Sequence, residues 1–382
     1  MRSRFSSRVS TRTSMFGASV ASLATTGTEF TTSPHQSSER TGPGAIDPNW
    51  SPTAESANLR TVSTFSYHKA TALADALARL AEPGHLAIGG GTDLLVTIQE
   101  GLASPATVVD VRALAESMGV RATADDGVRI GAAVSLADVA EHRLVRERYP
   151  ALAIACEQVG TPAIRSMATL GGNLCQRPRC WYLRRNIPCF KNGGTSCPAR
   201  DGENQYHAIL DGGPCWIVHP SDPAVALVAL DATIEVAGAL GTRDVAAGDF
   251  FVLPSERMDR ETVLADGELV IGIRLPANAA GGVQRYVKLM QRDAWDFALV
   301  SLAAVRRTDG EVRLVLGGVA PKPYRVYSSV EEEVLTPNID EETIADLADR
   351  ALLDAEPLSK NGYKLELAAS LLRDAIRALS SA

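Results

Sequence analysis

Five of the six cysteines of this 382-residue chain fall between Gly171 and Trp216, at Cys175, Cys180, Cys189, Cys197 and Cys215. Thiolates are nucleophiles and soft metal ligands, so such a cluster points to redox chemistry or to an inorganic centre. The same stretch is dense in Gly, Pro and Arg and cannot build an apolar core of its own. Something other than packing, an inorganic cofactor in the first place, is expected to order it. Five cysteines cannot all pair among themselves, and the only other one is Cys156. That distribution is unlike a disulfide-stapled secreted domain. A metal or redox site is the better reading; a zinc site with four cysteine ligands, or a disulfide pair plus free thiols, are the alternatives.

Two glycine clusters offer a second chemistry. The apolar strand His85–Ile88 runs into Gly89-Gly90-Gly91-Thr92-Asp93 and a further apolar run from Leu94. Strand, glycine turn and helix start together suit a phosphate, because backbone N–H groups can approach an anion and the helix adds its positive end. A plain tight turn would have the same sequence. Neither the dinucleotide G-x-G-x-x-G pattern nor a Walker loop is present, so nicotinamide and ATP are not suggested. About 80 residues later, Ala168-Thr169 precedes Gly171-Gly172, and the two loops are placed to clamp one cofactor from both sides. Asp222, in His219-Pro220-Ser221-Asp222, precedes Pro223 and a helix-like AVALVAL run, a good capping arrangement. His219 has no visible acid/base partner and is read as structural.

The elements that must position these residues follow from periodicity. Helices are expected at Thr71–Leu80, from Leu136 behind a Ser135 cap, at Pro150–Val159, Thr343–Leu353 and Lys364–Leu379. Strands are expected at Thr107–Val111, Val128–Val134, Thr233–Val236, Leu269–Leu275, Arg285–Met290, Leu299–Val305 and Val312–Val319. With 45% hydrophobic residues the chain can bury a substantial core in two or three domains. The net charge of -7 argues against nucleic acid as a partner. No run of about 18 apolar residues predicts a membrane span, so a soluble protein is expected. The compartment, cytoplasm or periplasm, stays open, because a subunit can be exported with a partner. Residues 1–58 are rich in Ser, Thr, Pro and Gly and are expected to be disordered. Their basic start and the mildly apolar Met15–Ala24 faintly imitate an export or transit peptide; a flexible arm or a mis-assigned start codon is the favoured alternative.

AIGGGTDLL (Ala87 to Leu95), ATLGGNL (Ala168 to Leu174) and HPSD (His219 to Asp222), with YVKLMQRDAWDFALVSLAAV (Tyr286 to Val305) and LGGVAPKPYR (Leu316 to Arg325), together resemble the FAD-binding subunit of the molybdenum hydroxylase family, from about residue 61 to the end. The resemblance implies an α+β fold. A PCMH-type, vanillyl-alcohol-oxidase-like FAD domain of two subdomains would span 59–280, and an α+β domain like the CO dehydrogenase flavoprotein C-terminal domain would span 281–382. It implies FAD contacts from Leu86, Ala87, Ile88, Gly89, Gly90, Gly91, Thr92, Asp93 and Leu94, and from Thr169, Gly172 and Asn173. Asp222 would bond a hydroxyl-bearing part of FAD, and Lys288 would lie near the isoalloxazine; a solvated strand-edge lysine is the alternative for Lys288.

The insertion at 175–216 resembles that of the flavin subunit of bacterial periplasmic aldehyde oxidoreductases, where four cysteines hold a [4Fe–4S] cluster. By that match the ligands would be Cys180, Cys189, Cys197 and Cys215, separated by 8, 7 and 17 residues, with Cys175 a spare thiol. Zinc loops usually bring paired C-x(2–4)-C knuckles, and these four supply none, which favours iron–sulfur. Arg177, Arg179, Arg184 and Arg185 would offset the cluster's negative charge. The implied role is electron transfer: a molybdopterin-containing large subunit oxidises an aldehyde or N-heterocycle, a small [2Fe–2S] subunit relays electrons, and this chain passes them through FAD to an external acceptor. A free-standing FAD oxidase, a zinc-stabilised binding protein and an iron–sulfur regulator are the rival classes.

Overall fold

The computed structural model describes residues 64–292, 294–336 and 339–381; the expected disordered extension and its leader-like run lie outside them. The described chain opens with β1 (Ser66–Lys69), α1 (Leu73–Leu80), β2 (His85–Ile88), α2 (Leu94–Gln99) and β3 (Thr107–Asp110). Both β1 and β2 pair parallel with β3, giving the order β1-β3-β2. Parallel neighbours need a crossover: α2 supplies the one from β2 to β3, and the longer connection from β1 to β3 runs through α1, β2 and α2. The apolar face of α1, Ala76 and Leu80 with Leu73 and Leu77, packs on Val109, Val111 and Leu114.

A second sheet contains β4 (Val120–Ala122), β5 (Val128–Gly131), β6 (Thr233–Gly238), β7 (Gly241–Ala246) and β8 (Leu269–Leu275), all antiparallel in the order β4-β5-β8-β6-β7. Between β5 and β6 come α3 (Leu136–Glu141), α4 (Arg143–Arg148), α5 (Pro150–Glu157), α6 (Pro162–Met167), α7 (Leu170–Leu174), α8 (Trp181–Arg184) and α9 (Asp222–Ala229); α10 (Ala247–Phe250) follows β7. Ser135 caps α3 by accepting the Asp138 N–H at 3.0 Å, as the sequence predicts. The strand expected to reach Val134 stops at Gly131. Past that point the Ala133 N–H turns to the Ser117 carbonyl at 2.7 Å, and the Val134 N–H folds back on the Gly131 carbonyl. The second glycine cluster is not a loop but the short helix α7. Thr169 caps it, and Gly171 presses so closely on Ala132 that an added Cβ would come within 2.8 Å of the Ala132 Cβ.

The third sheet, in the order β12-β11-β10-β9, joins β9 (Val283–Leu289), β10 (Val300–Arg306), β11 (Val312–Gly317) and β12 (Tyr324–Arg325), and is antiparallel throughout. It is followed by α11 (Ser328–Glu333), α12 (Glu341–Arg350) and α13 (Tyr363–Ser380). Strand period two gives its faces to different cores. Ala303 and Val305 join the core around α5, α9 and the second sheet, while Leu302 and Ala304 join the core built with α12 and α13.

The cysteine-rich stretch borrows part of its order from this last core. Ile209 and Leu210 are buried in it, and their N–H groups both donate to the Val319 carbonyl, at 2.8 and 3.0 Å. Among the described residues, no helix is long and apolar enough to cross a membrane.

Candidate cofactor site

The two glycine clusters meet face to face. A Cβ on Gly90 would fall 1.7 Å from the Met167 carbonyl oxygen, and one on Gly89 would fall 2.5 Å from Thr169 Oγ1. Gly91 has φ +73°, a conformation that glycine adopts without cost. These glycines therefore serve the contact between the two loops as well as access to a ligand. Around the contact lies a cavity of about 300 Å³. Leu86, Ala87, Gly89, Gly90, Gly91, Thr92, Asp93 and Leu94 line one side of it, and Thr169, Gly172 and Asn173 line the other. Ile88 does not line it; its side chain packs under the turn at Gly91. Cys175, an exposed thiol, stands at the same cavity.

Asp93 is fixed from the cysteine-rich stretch. Its carboxylate accepts the Arg177 N–H at 2.7 Å and Arg184 Nη2 at 2.8 Å, and Arg179 Nη2 lies 3.0 Å away. Arg184, nearly buried, also donates to Glu100 at 3.0 Å, and Arg177 pairs with buried Glu261 at 2.9 Å. Arg177, Arg179 and Arg184 thus pair with carboxylates, and with Lys191 they are four cations on Asp93, Glu100 and Glu261.

A second cavity, of about 330 Å³, shares Arg179 with the first. The buried Ser221 hydroxyl donates to Asn173 Oδ1 at 2.6 Å, which ties the α7 helix to the wall of this second cavity. Ser221, not Asp222, caps α9, by accepting the Ala224 N–H. Asp222 is free of capping and opens on the cavity, where Tyr286 donates to Oδ1 and Lys288 to Oδ2, each at 2.7 Å. Lys288 also donates to the Gln158 carbonyl and its side chain is 1% exposed, so the solvated reading is overturned. It stands behind Asp222 rather than on the cavity surface. Burial pushes the Asp222 carboxyl up, against the opposing pull of Lys288 and Tyr286. His219 also lines this cavity; it is buried, edge-on to Phe251 at 4.6 Å, and burial holds it down to about 4.

Cys180, Cys189, Cys197 and Cys215, 35 residues apart from first to last, line a single small cavity together with Leu183, Phe190, Ile217, Lys191 and His207. Among the described residues, no three His, Cys, Asp or Glu side chains close on one point as ligands of a metal ion. The cavity that the four cysteines line is about 10 Å³. A hydrogen bond with Cys215 draws the Cys197 thiol down, while burial pushes Cys180 up to about 11. Lys191 is the buried cation here, donating to Glu261 at 2.8 Å.

Two family descriptions match the chain: FAD binding domain in molybdopterin dehydrogenase, over residues 63–278, and CO dehydrogenase flavoprotein C-terminal domain, over residues 285–379. The chain belongs to the FAD-binding subunits of the molybdopterin dehydrogenases. It is 36% identical over 323 residues to the aldehyde oxidoreductase FAD-binding subunit PaoB of Escherichia coli K12, covering 82% of this chain and 99% of the relative. The xanthine dehydrogenase FAD-binding subunit of Escherichia coli O157:H7 is 27% identical over 300 residues, covering 77% and 87%. Among solved structures, carbon monoxide dehydrogenase of Hydrogenophaga pseudoflava is similar with a TM-score of 0.64 at 25% identity, covering 83% of this chain and 97% of that one.

In this flavin subunit, sequence reasoning missed Ser221, Tyr286, Lys191, Glu261 and His207. Tyr286 was open to inference, because it lies two residues from Lys288 on one strand and so shares its face. Glu261 carried no local signal: its partners Arg177 and Lys191 are 84 and 70 residues away.

Proposed function

We propose that this FAD-binding subunit also carries a [4Fe–4S] cluster and transfers electrons within a three-subunit, molybdenum-dependent oxidoreductase of the aldehyde-oxidising type. A molybdopterin-containing large subunit would oxidise the substrate and a small [2Fe–2S] subunit would relay electrons to this chain, which releases them to an external acceptor. FAD, when bound, takes up electrons singly and gives them up in pairs.

The observation that carries the reading is the convergence of Cys180, Cys189, Cys197 and Cys215 on one cavity, walled by residues that also wall the cavity at Asp222. The donor set is soft and all sulfur, which suits iron–sulfur or zinc. Zinc draws four sulfurs to about 2.3 Å from one centre. Zinc loops usually bring paired C-x(2–4)-C knuckles, and the absence of any among these four cysteines favours the cluster. The higher identity to the aldehyde oxidoreductase subunit, 36% against 27% for the xanthine dehydrogenase subunit, supports an aldehyde as the substrate of the assembly.

For FAD, the backbone at Gly89–Gly91 and the start of α7 would hold the phosphates, and the flavin ring would occupy the cavity at Asp222. Asp222 would accept a cofactor hydroxyl while Lys288 and Tyr286 keep its carboxylate in place, so Lys288 acts on the flavin through Asp222. On this reading residues 59–280, with the insertion at 175–216, form the FAD domain, and 281–382 the C-terminal domain. The test is the visible spectrum of the purified full chain together with its iron and zinc content. Flavin bands with iron and acid-labile sulfide are expected; zinc without iron, or no flavin bands, overturns the reading.

A further inference from the structure

The cysteine cavity and the flavin-side cavity are separated by a wall made of Cys180, His207 and Ile217, each of which lines both. Within it His207 Nε2 lies 3.3 Å from Cys180 Sγ. The other ring nitrogen, Nδ1, is buried and has no hydrogen-bond partner. A buried N–H without an acceptor is rarer and costlier than a bare lone pair, which assigns the proton to Nε2 and makes the imidazole the donor to sulfur. The backbone that carries the ring is fixed. The His207 carbonyl accepts from Asn361 Nδ2 and from Lys364 Nζ, both at 3.1 Å, and both of those side chains are fully buried. Trp181 and Tyr182 flank the ring, with centroids 6.0 and 6.1 Å away.

We propose that His207 is a positioning residue for the cysteine centre: its Nε2–H fixes the Cys180 sulfur and sets the reduction potential of the cluster on its flavin-facing side. The proposal rests on the cluster reading above. A reduced cluster carries one more negative charge than an oxidised one, so a donor to a ligand sulfur stabilises the reduced form and raises the potential. Of the four cysteines only Cys180 stands in the shared wall, so this hydrogen bond acts at the sulfur nearest the flavin cavity.

The full chain, purified with the subunits that accompany it, would be compared as wild type, His207→Phe and His207→Gln. EPR-monitored redox titration reads the cluster potential, while metal analysis and the flavin potential are measured on the same samples. In His207→Phe the reduction equilibrium constant is expected to fall about tenfold, which is about 59 mV for a one-electron couple, with the flavin potential unchanged. His207→Gln, which keeps an N–H donor, should recover part of the shift. An unchanged potential in iron-loaded His207→Phe overturns the proposal and leaves the cluster reading standing. A wild-type chain without iron overturns both. If His207→Phe loses its iron, pulsed EPR of wild-type protein labelled with 15N-histidine decides the matter: a 15N coupling to the reduced cluster is expected, and its absence overturns the proposal.

Discussion

Asp222, Tyr286 and Lys288 form a buried joint in which a carboxylate has both oxygens in use. Removing one member of a buried ion pair strands the other, at a cost of about 3–5 kcal/mol. Lys288→Met is therefore expected to lower unfolding stability by roughly that amount and to reduce FAD occupancy, read by denaturant titration and flavin content. Asp222→Asn combined with Lys288→Met should restore most of the stability, because no lone charge remains, but not the FAD occupancy. A single Lys288→Met variant as stable as wild type would contradict the burial of the pair. The joint was hidden in the sequence because its members lie 64 and 66 residues apart.

At the scale of elements, the insertion is an arm that grips the first glycine turn. Arg184 on α8 reaches Asp93 and Glu100, at the two ends of α2, and also donates to the Pro178 and Arg177 carbonyls. Arg184→Met should release that grip, at a cost on the order of 3 kcal/mol. Faster proteolytic cutting within residues 175–216 and weaker FAD retention are expected together, and a variant unchanged in both would show that loop and insertion hold their places independently. Legibility differed among elements for physical reasons. His85–Ile88 and Leu269–Leu275 are strands over the same residues read from the sequence, because apolar density there outweighs every other signal. β7 was missed: it is an edge strand with Thr242, Arg243 and Asp244 exposed and shows no apolar alternation. α7 was missed because two of its five residues are glycine, and only its Thr169 cap and its packing on Ala132 make it a helix. Within the site, the first glycine turn was legible from its place between a strand and a helix start, whereas the salt bridges to Asp93 and Glu261 join residues 70 to 91 apart and were not.

At the scale of the whole molecule, Lys364 gives stability a pH dependence. It is fully buried, donates to the Tyr206, His207 and Gly318 carbonyls, and burial lowers it to about 7. An unfolded lysine keeps its proton to about 10.4. Between those values the unfolded chain binds the extra proton, so this residue makes stability rise with pH from about 7 towards 10, and it contributes no slope below that window. Urea midpoints at pH 7 and pH 9.5 should show a steeper rise in wild type than in Lys364→Met, and equal slopes would refute the assignment.

The third sheet gives one face to each of two cores, with Ala303 and Val305 on one side and Leu302 and Ala304 on the other. The segments matched by the two family descriptions therefore share a core. A chain ended after residue 280 would leave the apolar faces of α5 and α9 that meet Tyr286, Ala303 and Val315 open to water, and an exposed surface of that kind aggregates. Expressing the first segment alone to study flavin binding would thus sample a sticky fragment. A split-protein design would need both pieces made in the same cell, so that each completes the other's interior before either meets solvent.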